Sequence, residues 1–340
     1  MRNMVKHIGL IGLFSIIMGC QDLTDEMVGK KPEDVKTINI TMVAKSAANP
    51  VFNSARLGAE AAAADLTDKH SMITVNINWR TPMEENAEQQ AERILNAVED
   101  GTDAIIVSCS DDSVLTAAIN KAVDSGVPVM TFDSDAPTSK RFAFYGPNDM
   151  EIGEKVMSEL VAVMGTKGQV AILGGNPHAP NLQKRVKGLL KEAEKYPEID
   201  IVGQFYHVEN TAAAIAEMQR VSTEYPDLKG WAMVGGWPFF DNTLLDKIEP
   251  GKVKIVAVDA LPMQLAYIEK GIVDVFLGQP TYRWGKESVE KIVDKIYLEK
   301  KVDEFNQMKL IRVWKDNLGG WARQLRAWGY LEIPEKYLRM

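Results

Sequence analysis

From Thr37 onward, short runs rich in β-branched and apolar residues alternate with longer stretches of helical period, and the alternation is carried through twice. The first series reads Ile38–Val43, Phe52–Leu66, Ile73–Ile77, Glu84–Val98, Ala104–Val107, Val114–Val123 and Val127–Phe132, with Ser125-Gly126 stopping a helix and Pro128 at a strand start. The second reads Val170–Leu173, Leu182–Lys195, Ile201–Tyr206, Ala212–Tyr225, Trp231–Val234, Leu244–Ile248, Val253–Val258, Pro262–Lys270 and Val275–Leu277. Strands separated by helices need crossover connections, which are right-handed and cover both faces of a sheet. The predicted class is therefore α/β: two doubly wound parallel-sheet lobes.

The links between the halves fall near Phe144-Tyr145-Gly146-Pro147-Asn148 and near Gly278-Gln279-Pro280, and two separate crossings imply a hinge. A helix from Trp284 to Leu298 finds strands to cover only by returning to the first half, and the chain beyond it crosses again. One lobe is thus expected from 37–147 with 280–310, the other from 148–279 with 311–340. A folded body of roughly 300 residues is more than one core usually holds, which agrees with two domains.

Ahead of Thr37 stands a different kind of segment. Arg2 and Lys6 precede the apolar stretch Ile8–Met18, and Gly19-Cys20 closes it, which is signal-peptide anatomy too short to span a bilayer. The run Ile17-Met18-Gly19-Cys20 resembles the lipobox of bacterial lipoproteins, so cleavage after residue 19, lipidation of Cys20 and anchoring in the cell envelope are expected, with 20–36 as a polar tether. The net charge of −8 becomes more acidic once Arg2 and Lys6 leave, which argues against nucleic acid or anionic lipid and favours a neutral or cationic ligand. With Cys20 carrying lipid, Cys109 has no disulfide partner, and its apolar setting reads as packing.

Ligands of open parallel sheets bind outside the carboxyl ends of the strands. Those ends carry Asn49 and Phe52, Trp79 and Arg80, Ser108 to Asp111, and Asp133-Ser134-Asp135 in the first half; Gly175-Asn176, His207, Gly236-Trp237, Asp259 and Gln279 follow in the second. Carboxylates and amides bind pairs of adjacent hydroxyls, while aromatic rings take the C–H faces of a sugar, so Phe52, Trp79 and Trp237 are candidate platforms. Each residue has a plainer reading. Asp133, Asp259 and Asn49 suit turns or helix caps, Phe52 and Trp79 suit a core, and Arg185 suits an ion pair along its Lys/Glu-rich helix. His178 and His207 lack a ligand partner at metal spacing and are expected as solvent-facing loop residues; no metal or cofactor is expected. Phosphate-loop, dinucleotide and Gly-x-Ser-x-Gly motifs are absent from the sequence.

Asn49-Pro50-Val51-Phe52 resembles the Asn-Pro-aromatic-aromatic opening of ribose-type periplasmic sugar-binding proteins, with Val51 in place of one aromatic. Asp133 at the end of its strand, followed by Ser134-Asp135-Ala136-Pro137, is similar to that family's fourth-strand Asp; Ser134 stands where the family has Arg. Asn148 matches the first hinge crossing, Asp259 the second-lobe Asp, and Gln279 before Pro280 the hinge Gln. Gln183, with Arg185 two residues on, stands near a sugar-contacting Arg, and Gly236-Trp237 replaces an Asn-Asp pair. The resemblance covers about 37 to 300. It implies a type I periplasmic binding fold, a sugar held between two lobes, and delivery to the permease of an ABC importer by a monomeric binding protein that is no enzyme; together with the strand-end reading, the expected contacts are Asn49, Phe52, Trp79, Arg80, Asp133, Asn148, Gln183, Arg185, Trp237, Asp259 and Gln279. A sensory role with a receptor kinase or chemoreceptor is the alternative, and a glycosidase built on Asp133 and Asp259 a remote one. Lac-type repressors share the fold, but a signal peptide occupies the place of their DNA-reading helices.

Overall fold

The structure, a computed structural model, describes residues 35–340; the expected signal, Cys20 and the tether as far as residue 34 lie outside the described residues. The chain opens with β1 (Lys36–Val43), α1 (Pro50–Lys69), β2 (Ile73–Trp79), α2 (Ala87–Glu99), β3 (Ala104–Val107), α3 (Asp112–Asp124), β4 (Val129–Phe132) and β5 (Ala143–Gly146). It continues with α4 (Asp149–Met164), β6 (Lys167–Gly175), α5 (Pro180–Ala193), β7 (Glu198–Tyr206), α6 (Thr211–Glu224), β8 (Leu228–Met233), β9 (Lys254–Asp259), α7 (Leu265–Glu269) and β10 (Val275–Gly278). The last elements are α8 (Thr281–Ile296), β11 (Phe305–Gln307), β12 (Ile311–Val313), α9 (Leu318–Ala327) and α10 (Glu335–Leu338).

Two six-stranded sheets result, ordered β11-β5-β4-β3-β1-β2 and β12-β10-β9-β8-β6-β7. All pairings are parallel except β10 with β12. The period-2 pattern assigns the faces. Ile38, Ile40 and Met42 of β1, with Ala104 and Ile106 of β3, pack under α1 and α8, whereas Ile105 and Val107 turn to Ile94, Leu115 and Ile119 of α2 and α3. Both faces are covered, as two α/β lobes require.

The helix after Pro280 does return to the first sheet. Gly285 of α8 lies on α1 so closely that a Cβ there would run into the Ala55 carbonyl oxygen. Phe144-Tyr145-Gly146 forms the end of β5, where Tyr145 pairs with Phe132 and Asn306, and the chain leaves the first sheet just past it at Pro147-Asn148. Leu244–Ile248, expected as the crossover element before β9, forms turns: Asp241 Oδ1 accepts from Thr243 N at 2.7 Å, and the side chain competes there with helical hydrogen bonding. Among the described residues no helix is long and apolar enough to cross a membrane.

Candidate functional site

The carboxyl ends of both sheets face one another across one small cleft. Asp133 follows β4 with φ 57°, and Asp259 ends β9 with φ 107°, followed by Ala260 at 62°. Such backbone costs about 1–3 kcal/mol per residue and persists where the surroundings hold it. Here they do: Asp133 N donates to the Tyr145 carbonyl at 3.1 Å, Ser108 Oγ donates to Asp133 Oδ2 at 2.8 Å, and Gly236 N donates to Asp259 Oδ2 at 3.0 Å.

Arg185 joins the two carboxylates. Its Nε donates to Asp149 Oδ1 at 2.9 Å, one Nη to the Val234 carbonyl at 3.0 Å, and the other to Gln279 Oε1 at 3.3 Å, while Gln279 Nε2 donates to Asp259 Oδ1 at 2.9 Å. Gly153 makes this placement possible, because a Cβ there would collide with the Arg185 carbonyl and hold α4 away from α5. Burial works against the guanidinium, but Asp149, Asp133 and Asp259 outweigh it and hold its pKa above the ordinary value. Burial in turn pushes the Asp149 carboxyl up to about 6 despite Arg185 beside it. Asp259 is also raised by burial, against the hydrogen bond from Gln279.

Across the cleft, Lys45, just past β1, is 2% exposed. Its Nζ donates to Asn181 Oδ1 at 3.1 Å, and Asn181 Nδ2 donates to Asp133 Oδ1 at 3.3 Å, so these side chains link the lobes. Burial acts to lower the ammonium pKa, yet Glu209, Glu85 and Asp133 together raise it. Glu209 lies 3.9 Å from Lys45, and burial, with Glu85 nearby, pushes it up to about 8.

Aromatic walls complete the site. Phe52 packs at 6.2 Å on Trp284, which lines the cleft with a buried Nε1 that has no hydrogen-bond partner among the described residues. Trp237 lies at 5.0 Å, edge to face, against His207, so that histidine is not the solvent-facing residue expected, and burial lowers its pKa. His178 is exposed.

Of the eleven candidates, Asn49, Phe52, Asp133, Arg185, Trp237, Asp259 and Gln279 line this cleft. Asn49 also caps α1, its Oδ1 accepting from Val51 N at 3.2 Å, so the cap reading and the site placement hold together. The other four lie elsewhere. Trp79 and Arg80 leave β2, the edge strand, away from the centre of the sheet: Arg56 stands 5.7 Å over the Trp79 ring, and Arg80 pairs with Asp100 at 2.7 Å. Asn148 caps α4 in a separate groove beside Glu151 and Gln307. Gln183 precedes Arg185 by two residues, about 200° round the helix, so it faces outward and donates to the Pro177 carbonyl at 2.6 Å. Lys45, Asn181, Glu209 and Trp284 were missed. Lys45 and Glu209 each sit within three residues of a strand's carboxyl end, which was the available signal. No cluster of three His, Cys, Asp or Glu suited to hold a metal occurs among the described residues.

A family model described as the periplasmic binding protein domain matches residues 40–300. The D-ribose/D-allose-binding protein of Pseudomonas aeruginosa is 26% identical over 238 residues, covering 65% of this chain and 70% of that protein. The ribose import binding protein of Bacillus subtilis is 23% identical over 194 residues, covering 57% of this chain and 60% of its own length. Among solved structures, an ABC transporter solute binding protein from Burkholderia graminis in complex with D-arabinose superposes with a TM-score of 0.76 at 25% identity, covering 84% of this chain and 97% of that one.

Proposed function

The chain belongs to the periplasmic binding protein domain family, and on that premise we propose that it captures a sugar between its two lobes and passes it to the permease of an ABC importer. One observation carries the reading: Asp133 from one lobe, and Asp259 with Arg185 from the other, converge on a single small cleft walled by Phe52, Trp237 and Trp284. Hydrogen bonds to charged groups contribute about 1.5–3 kcal/mol each and association costs about 4–15 kcal/mol, so a sugar needs contacts from both lobes at once. The ligand therefore stabilises the closed arrangement by its greater affinity for it, and the importer reads that closed shape.

The lobes are residues 37–147 with 280–310 and 148–279 with 311–340, hinged where the chain crosses between them. Cys20 carries the lipid that holds the protein at the cell envelope, so Cys20→Ala releases it into the soluble fraction on cell lysis. The protein does no chemistry on its ligand. Thermal-shift screening of the mature chain against D-ribose, D-allose, D-xylose, D-arabinose and D-glucose tests the reading: at least one raises the Tm and is recovered unchanged. A flat panel, or cleavage of a glycoside, contradicts it.

A further inference from the structure

Lys45 and Glu209 belong to opposite lobes, and both side chains are more than nine-tenths buried. Their Nζ and Oε1 stand 3.9 Å apart, close enough for charge pairing and too far for a hydrogen bond. Lys45 Nζ has one hydrogen-bond partner, Asn181, leaving ammonium hydrogens unused. Glu209 Oε1 has none among the described residues, although it is buried. An orphaned buried oxygen beside an under-used ammonium on the wall of a ligand cleft is a recognition element without its partner.

The missing group must accept from Lys45 and donate to Glu209 at the same time. A hydroxyl does both with one oxygen, and Oε1 retains acceptor lone pairs in either protonation state. Charged substituents fit poorly. A carboxylate would stand near Glu85 and Asp133, and an ammonium beside Lys45 and Arg185. We infer that Lys45 and Glu209 form a specificity-determining pair that grips one uncharged hydroxyl of the captured sugar between the two lobes. Asn181 is the positioning residue, holding Lys45 through Oδ1 and Asp133 through Nδ2. The inference rests on the sugar-capture reading and adds to it which wall of the cleft selects the ligand.

The test is calorimetry on the mature protein with the sugar that gives the largest thermal shift and with each of its monodeoxy derivatives. Wild type is compared with Glu209→Gln and with the double variant Lys45→Met, Glu209→Gln. Replacing both members of a buried pair by neutral groups of similar volume is usually tolerated, and the single variant keeps the test open if the double one fails to fold. Wild type is expected to reject one monodeoxy derivative by about tenfold or more. The double variant binds that derivative and the parent sugar within about threefold of each other, and Glu209→Gln falls between. If the pair were only a latch between lobes, the variants would shift all affinities by a common factor and leave every parent-to-deoxy ratio as in wild type; that result overturns the inference. A wild-type protein that binds no sugar overturns the capture reading itself, and this pair's role with it.

Discussion

Asp133 and Arg185 come from different lobes, yet Asp133 Oδ1 lies 3.9 Å from an Arg185 Nη while Asn181 Nδ2 reaches the same oxygen at 3.3 Å. The carboxylate that ends β4 in the first lobe is therefore set electrostatically by the second. The contact joins the two lobes within the cleft itself.

Replacing Arg185 by Lys tests the planar fork. A guanidinium serves Asp149, Val234 and Gln279 together, whereas an ammonium is a point charge that cannot match that geometry. Calorimetry is expected to give an affinity loss of about tenfold or more, with a lower Tm from the buried Val234 carbonyl left unpaired. An affinity within about threefold of wild type removes Arg185 from the recognition machinery.

Trp284→Phe keeps an aromatic ring against Phe52 and Phe132 while deleting the buried, unpartnered N–H. Leaving a donor unsatisfied costs about 1–3 kcal/mol, and the smaller ring leaves a cavity of comparable cost, so the two offset and the empty protein should melt close to wild type. If a ligand oxygen accepts from this N–H, sugar affinity should fall several-fold in the variant. Unchanged affinity would make Trp284 a core residue and nothing more.

Glu209 sets a pH dependence whose sign follows from its raised pKa. The folded protein holds a proton up to about 8 that the unfolded chain releases near the ordinary 4.5, so this group's contribution to stability is full below about 4.5 and is lost as pH rises to about 8. Thermal unfolding of wild type and Glu209→Gln from pH 5 to 8 reads it. The variant's Tm should fall less steeply over that range; parallel curves would place Glu209 in water rather than in the cleft.

Gly153→Ala places a methyl group against the Arg185 carbonyl. Overpacking of this kind costs about 1–3 kcal/mol, and here it also moves Arg185 relative to Asp149. Denaturant unfolding should register the loss, and calorimetry a weaker ligand. A stable variant with full affinity would mean that α4 and α5 have room to spare.

Much of this was legible in the sequence because parallel α/β sheets write themselves as alternating periods, and their ligands gather at strand ends. Asp133, Asp259 and Gln279 follow from that rule alone. Trp79 and Arg80 obey the same rule yet miss the cleft, since sequence does not reveal that β2 lies at the edge of its sheet. Gln183 was separated from Arg185 by helix phase, which depends on where α5 packs. Lys45 and Glu209 were passed over because a charge beside an apolar strand usually faces solvent; only the meeting of the two lobes buries them. Leu244–Ile248 had the composition of a helix, and the Asp241 turn gave it another fold.

Side chains of both lobes are expected to close on one ligand, and paired calorimetry on Asp133→Ala and Asp259→Ala, with the best sugar of the panel as ligand, reads each lobe's share. Wild type should bind one sugar per chain, and each variant, altered in a different lobe, should lose about tenfold or more in affinity. An affinity within about twofold of wild type in either variant would mean that one lobe binds alone and that the ligand is not held between two.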